Sequence, residues 1–563
     1  MAFSSLFKKK GVQDILRQVA KNESDGHNSL AKVLTVKDLT FFGIAAIIGA
    51  GIFSTIGRAS FNGGPAVILL FIFTAVACGF TALCYAQFAS TVPISGSAYT
   101  YAYVSLGEIF AWIIGWALIL EYAVSNMVVA ISWSEYFTSM LSGFGIHWPS
   151  WLGVDYGSAH DAYIQVQEAT QSGTLAKIAT PIQNLAHAFQ DAPIVGGIPI
   201  IFNLPAGLIT LAITSLIYIG MKESKNASNI LVIIKLAVIA LVIVGGFFYI
   251  KPENWTPFAP NGVHGVMLSV ASVFFAFIGF DSISTTAEEC KNPQRDLPKA
   301  MIYCLVICTV LYVVITLVLT GMVNSKELGV NDPLSYVFKV VNANWMAEII
   351  SISAVVAITS ALLAYQVGQP RIWMAMSRDG LLWKKFSEIH PKFHTPGFAT
   401  IITGFLVGVP SLFMNMQFFI DLTSVGTLFA FIVVCCGVLY MDAKGLSDEA
   451  KFKVPYINSQ FILGILFLVC LYISQQYGGG FFNLIKEKPL SAVFWLIFLG
   501  LSVLAFRKKL SLLPLLGILT NLYLMTELGW TNWRIFIIWL AIGMVIYFSY
   551  GYKNSKLRNP QDK

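Results

Sequence analysis

Two glycine-interrupted stretches hold the residues best suited to chemistry: Ile47-Ile48-Gly49-Ala50-Gly51-Ile52-Phe53 and Phe274-Phe275-Ala276-Phe277-Ile278-Gly279-Phe280-Asp281. Gly49 and Gly51 can take backbone angles that other residues resist. A helix restarting after Gly51 would present free amides and the positive end of its dipole, and a carboxylate suits such an end. In the second stretch, a half-helix ending before Gly279 would leave carbonyls around Phe275, Ala276 and Ile278 without partners. Carbonyls accept hydrogen bonds from an ammonium group. Taken alone, the first stretch reads as a small-residue helix-packing surface. Paired with the second, it describes donors for an anion facing acceptors for a cation. That is a site for a zwitterion such as an amino acid.

The elements that must position these stretches are membrane helices. Hydrophobic residues make up 56% of the 563-residue chain, charged residues 12%, and the mean hydropathy is +0.71; ordinary soluble domains carry about 25% charged residues. Runs of roughly 20 apolar residues match the thickness of a bilayer. They fall at 38–60, 65–91, 108–139, 200–220, 229–249, 264–287, 300–323, 345–369, 397–414, 420–441, 458–475, 489–506, 511–528 and 532–551, which makes fourteen expected spans. In hydrocarbon, unwound backbone is tolerated only where protein or a cavity surrounds it, so interruptions in the first and sixth spans point to a binding site.

Lys and Arg concentrate in alternate loops, from Lys8-Lys9-Lys10 to Arg507-Lys508-Lys509. This bias puts both termini and those loops on the cytoplasmic side of a plasma (cell inner) membrane. It also accounts for the formal charge of +7 without a nucleic-acid partner. The eight cysteines lie in spans or at cytoplasmic ends, where disulfides are not expected. The first apolar run follows a polar basic leader, so the first span is expected to insert directly rather than as a cleaved signal.

The first ten spans divide into two sets of five, 38–249 and 264–441, each opening on an interrupted segment. An odd number per set inverts the second relative to the first. Spans within 458–551 read as an appended four-helix bundle, followed by a cytoplasmic tail at 552–563. Within the 1–37 leader, Val12, Ile15, Leu16 and Val19 share one helical face, which suits either an amphipathic helix on the membrane or a leader docked on the protein. In the extracytoplasmic insert 140–199, Ile178, Ile182, Leu185 and Phe189 also share a face and predict a small helical cap.

Phe274 to Pro298, FFAFIGFDSISTTAEECKNPQRDLP, resembles the signature of the cationic amino acid transporter branch of the amino acid, polyamine and organocation superfamily, in its bacterial form. Pro93–Trp116, Gln369–Leu382 and the C-terminal LPLLGILTNLYLM resemble the same branch. The resemblance implies an all-α polytopic membrane protein with a leucine-transporter-type 5+5 inverted repeat, broken helices 1 and 6, and four additional C-terminal spans. It also implies that the amides of Ala50 and Gly51 bind a substrate carboxylate. The carbonyls of Ile47, Phe275, Ala276 and Ile278 would then bind the α-amino group, with Phe275 as a gate.

Glu121 lies roughly 15 Å into the third span, where a carboxylate usually faces a cavity or a partner. Two roles stand for it: contact with substrate or protons, or a structural hydrogen-bonded carboxyl. Lys235 is only about 9 Å from the cytoplasmic end of the fifth span and could simply snorkel. The resemblance implies instead that Lys235 replaces a coupling sodium ion, with Thr359 and Ser360 of the eighth span beside it. Glu288, Glu289, Lys291, Arg295, Arg371, Arg378 and Asp379 gather at cytoplasmic span ends, either as an inner-gate latch or as topology-setting charge.

No zinc motif, phosphate-cradling glycine loop or hydrolase triad is present, so neither an enzyme, a cofactor nor an ATP-driven pump is expected. The expected activity is secondary active transport of L-amino acids, coupled to protons, with substrate at the interruptions of helices 1 and 6. A polyamine carrier and a non-transporting amino acid sensor are the competing readings. Side-chain preference, direction and oligomeric state stay open.

Overall fold

The computed structural model describes residues 6–11, 34–49, 51–92, 97–174, 178, 180–219, 225–330, 332–393, 395–447, 450–477 and 489–558. The expected leader helix through Val12 and Val19, and Ala50, lie outside them, as do the side chains of Glu288 and Glu289.

Helix α1 (Val36–Ile47) opens on a capping box, in which the Thr35 amide donates to the Asp38 carboxylate at 3.0 Å. The helix stops at Ile47 because glycines follow; Ile48 turns out of the helical region and the Gly49 amide donates to the Ile47 carbonyl at 3.0 Å. The chain resumes as one π-helical turn, Gly51–Thr55, and continues as α2 (Ile56–Gly63). Helices α3 (Val67–Thr91), α4 (Ser97–Ser105), α5 (Glu108–Gly143), α6 (Tyr156–Gln171), α7 (Thr180–Gln190), α8 (Leu204–Ile219) and α9 (Lys225–Phe247) follow.

The second interruption separates α10 (Gly262–Met267) and α11 (Val270–Phe275) from a 3-10 segment, Phe280–Glu289. Gly279 sits between them at φ +120°, an angle that a side chain would strain. Then come α12 (Pro293–Met322), α13 (Pro333–Val340), α14 (Asn344–Arg378), α15 (Gly397–Phe413), α16 (Met416–Ala443), α17 (Ile462–Tyr477), α18 (Pro489–Lys508), α19 (Leu512–Glu527) and α20 (Trp530–Ile546).

Among the described residues, nine helical segments are long and apolar enough to cross a membrane, and α8, α15, α17 and α19 are shorter apolar helices. The first interrupted segment is not among the nine on its own, since glycines cut it into short pieces. Helix α14 runs past its expected end at 369, straight through Pro370, to Arg378.

The core gathers around α5, which packs on α14 and α16, while α12 packs on α3 and α1. Helices α17, α18 and α19 share a separate apolar cluster that includes Leu463, Phe494, Phe498 and Leu515. Helix α20 does not belong to that cluster. Its Trp539 stacks on Trp116 of α5 at 4.6 Å, and each indole N–H donates to the other residue's carbonyl, at 2.8 and 2.9 Å. Helix α20 also bonds back to α19, where Trp533 Nε1 donates to the Met525 carbonyl at 3.0 Å.

The 140–199 insert holds two helices, α6 and α7, and a hairpin of β1 (Ile194–Val195) with β2 (Ile198–Pro199). Phe189, on the expected apolar face, stacks on Tyr163 of α6 at 4.9 Å. Helix α6 carries no such stripe, so the sequence pattern does not announce it. Segments near the two termini meet, where Lys8 Nζ donates to the Leu557 carbonyl at 2.7 Å.

Candidate functional site

The two interruptions lie against each other. A methyl group built on Gly51 would stand 2.6 Å from Ala276 Cα, and one on Gly279 would stand 3.0 Å from the Ala46 carbonyl carbon. Glycine at both positions is what lets the two backbones cross this closely. Gly49 faces α14, where its added methyl would meet Ala361 Cβ at 3.0 Å.

The expected free carbonyls have partners. The Tyr312 hydroxyl, from α12, is 2.6 Å from the Ala276 carbonyl oxygen and 3.1 Å from that of Ile47. The Tyr365 hydroxyl, from α14, is 3.4 Å from the carbonyl oxygens of both Ala46 and Ile278. Each tyrosine thus bridges one carbonyl of the first interruption and one of the second. The Phe275 carbonyl accepts from the Ile278 amide at 3.1 Å, so a local turn already uses it. Nor are all amides after Gly51 free, because the Phe53 amide donates to the Gly49 carbonyl at 3.3 Å within the π turn.

Lys235 reaches the same place from α9. It is fully buried, and Nζ donates to the carbonyls of Ala45 (3.0 Å) and Ile48 (2.9 Å). These are carbonyls that the end of α1 leaves without helical partners, so the ammonium caps that end. This side chain does not snorkel. Thr359 and Ser360 are engaged elsewhere: Thr359 accepts from Trp133 Nε1 at 2.9 Å and donates to the Val355 carbonyl at 2.7 Å, and Ser360 donates to the Ala357 carbonyl at 2.9 Å. Neither hydroxyl is bonded to Lys235.

A family profile described as "Amino acid permease" matches residues 34–504, and one described as "C-terminus of AA_permease" matches residues 510–555. The chain belongs to the amino acid permease family. It is 38% identical over 554 residues to the branched-chain amino acid permease BcaP of Bacillus subtilis (strain 168), covering 98% of this chain and 99% of that one. It is 37% identical over 555 residues to the methylthioribose transporter of the same organism, with the same coverage. The vacuolar cationic amino acid transporter 2 of Arabidopsis thaliana is 32% identical over 624 residues, covering 96% of this chain and 92% of that one.

In this permease Glu121 is buried in α5, its backbone carbonyl accepting from the Thr423 hydroxyl of α16 at 3.2 Å, with Asp281 as its electrostatic neighbour. The hydroxyls of Tyr85 and Tyr122 are buried near these two acids and have no hydrogen-bond partner among the described residues. The charges expected as a latch or as topology-setting charge are described only in part. Asp379 pairs with Lys10 at 2.9 Å and accepts from the Tyr99 hydroxyl at 2.7 Å, whereas Lys291 and Arg295 make no ion pair among the described residues.

Sequence reasoning missed Tyr312 and Tyr365 because a tyrosine within an apolar span carries no pattern that separates a site from a core. The excess of buried backbone carbonyls at the interruptions was the available signal. Something had to donate to them.

Proposed function

We propose that this permease is a secondary active transporter of L-amino acids, a carrier and not an enzyme, working by alternating access as a proton symporter in the plasma membrane. The observation that carries the reading is the contact of the two interruptions, Gly51 on Ala276 and Gly279 on Ala46. Helix ends of opposite polarity meet there, which suits a carboxylate and an ammonium on one carbon.

In this reading the chain crosses the membrane fourteen times in a five-plus-five inverted repeat with four further spans, both termini cytoplasmic. The contact of Lys8 with Leu557 supports an even number of crossings between them. Substrate lies between Gly51 and the amide of Ala50 on one side and the carbonyls of Ile47, Ala276 and Ile278 on the other. Lys235 couples the proton, since it bonds directly to the carbonyls where α1 stops. Losing its proton removes the charge that holds this end, and α1 can move.

Purified protein in liposomes is expected to accumulate an amino acid under an inward proton gradient without sodium, and Lys235→Ala is expected to abolish accumulation. Sodium-dependent uptake that survives the substitution would overturn the coupling. A labelled panel spanning branched-chain, cationic and other amino acids identifies the side chain, and methyl esterification of the substrate is expected to cost most of the affinity. The panel should include methylthioribose. A relative of 37% identity carries that name, and this sugar has neither carboxylate nor ammonium, so its uptake would favour a neutral-ligand site. Polyamine uptake would instead favour an organocation carrier, and amino acid binding without uptake would favour a sensor.

A further inference from the structure

A cavity of about 540 Å³ opens at the start of α12, away from the interruptions. Four cationic side chains line it: Lys291, Arg295 and Lys299 from the α12 end, and Lys451 from the segment after α16. No carboxylate is among its lining residues. None of the four cations makes an ion pair among the described residues. Asp296 is buried in the first turn of α12 and does not line the cavity.

The walls are fixed by backbone bonds to neighbouring elements. The Lys291 amide donates to the Leu34 carbonyl ahead of α1 at 3.0 Å, and the Ser90 hydroxyl of α3 donates to the Phe452 carbonyl at 2.9 Å. The cations are thus held near one another, at the positive end of a 30-residue helix. Such an arrangement is repulsive until an anion enters.

The floor identifies the anion. Pro298 and Ile302 line the apolar side of the cavity. Beyond them α12 continues into Tyr303, Val306 and Val310, exposed by 50%, 56% and 57%. With Lys299 these positions form one helical stripe, basic at the membrane surface and apolar along its depth. From this continuity we infer that the cavity binds the phosphate headgroup of an anionic phospholipid of the cytoplasmic leaflet, whose acyl chains lie along that stripe. Basic pockets beside membrane helices bind such headgroups by the same electrostatics. The leaflet follows from the proposed topology; the site itself does not depend on it.

The test is native mass spectrometry of the full chain, released from nanodiscs of phosphatidylcholine containing a minor fraction of phosphatidylglycerol. The protein is expected to retain phosphatidylglycerol selectively. Arg295→Gln with Lys299→Gln should lower that occupancy roughly fivefold per lost cation, about twenty-five-fold for the pair. Lys451→Gln, on a different element, should lower it about fivefold, and Arg295→Lys with Lys299→Arg should retain it. All four residues are exposed, so unfolding temperatures should stay close to that of the parent. Equal retention by the neutralised variants, or equal retention of phosphatidylcholine, would overturn the inference. Inorganic phosphate displacing the lipid would assign the cavity to a soluble phosphate and overturn it as well.

Discussion

Replacing Gly51 by alanine tests the reading of the two interruptions with a single methyl group. Its new Cβ would lie 2.6 Å from Ala276 Cα and 3.0 Å from Ala276 Cβ. Carbon atoms rest about 3.5–4.0 Å apart, so the interruptions must separate by about 1 Å. Ala276 cannot yield by rotating a side chain, because the obstructing atom is backbone and the residue is fully buried. Overpacking of this kind costs about 1–3 kcal/mol. A site whose two poles are 1 Å too far apart should lose on the order of a hundredfold in rate, judged by what such misplacement costs in enzymes. Gly79 of α3 supplies the control, since its added methyl would meet Leu305 Cδ2 at an ordinary 3.9 Å. Gly79→Ala should be neutral or stabilise the helix by about 0.5–1 kcal/mol. Initial uptake rates in proteoliposomes, with unfolding temperatures of both variants, decide the matter. If Gly51→Ala transports as fast as Gly79→Ala, the interruptions do not form the substrate site.

Tyr312→Phe removes the hydroxyl between Ala276 and Ile47 and should weaken substrate binding about tenfold, from roughly 1.5 kcal/mol for a buried hydrogen bond; unchanged affinity by calorimetry would refute a role for this tyrosine in the site. Arg558→Gln should destabilise the protein by about 3 kcal/mol, because it strands the fully buried Glu108, which pairs with Arg558 at 2.7 Å and also accepts from Tyr103, Tyr547 and Ser555. Adding Glu108→Gln should restore most of that loss in thermal unfolding, and additive losses would count against the pair. Thr359→Val should disturb the Trp133 contact and lower stability by about 1 kcal/mol while leaving the proton dependence of uptake intact; a change in that dependence would return Thr359 to the coupling site.

The apolar helices were legible because a bilayer imposes length and apolarity on any helix that crosses it, and the interruptions because glycine pairs are conspicuous within such runs. What the runs conceal is direction around a helix axis. Thr359 follows Lys235 plausibly in a linear reading, yet its hydroxyl faces Trp133 of α5. Span position alone leaves Lys235 either snorkelling or buried, and only three-dimensional contact with Ala45 and Ile48 separates the two. The charges at the span ends give a related case. Asp379 finds its cation in Lys10, 369 positions away, and no local spacing encodes that partnership. Chain order also does not show that α20 packs on α5, through paired indole bonds to Trp116.

A count of protons at the interruptions says what a substrate must bring. Four carbonyls, those of Ala46, Ile47, Ala276 and Ile278, face two hydroxyls. A hydroxyl has one proton to give. Tyr312 spends its proton best on Ala276, at 2.6 Å, and Tyr365 stands 3.4 Å from both of its carbonyls, near the limit of a hydrogen bond. The Ile47 carbonyl also accepts from the Gly49 amide at 3.0 Å, so among the described residues at least one of the remaining carbonyls is short of a donor in a buried place, where an unmet acceptor costs about 1–3 kcal/mol. An ammonium carries three donors and could meet that shortage without displacing either tyrosine. A neutral sugar could meet it too, but its hydroxyls donate without charge and gain less from the same acceptors. The tyrosines thus make the two interruptions a single under-donated surface, which a charged ammonium would suit better than a neutral hydroxyl.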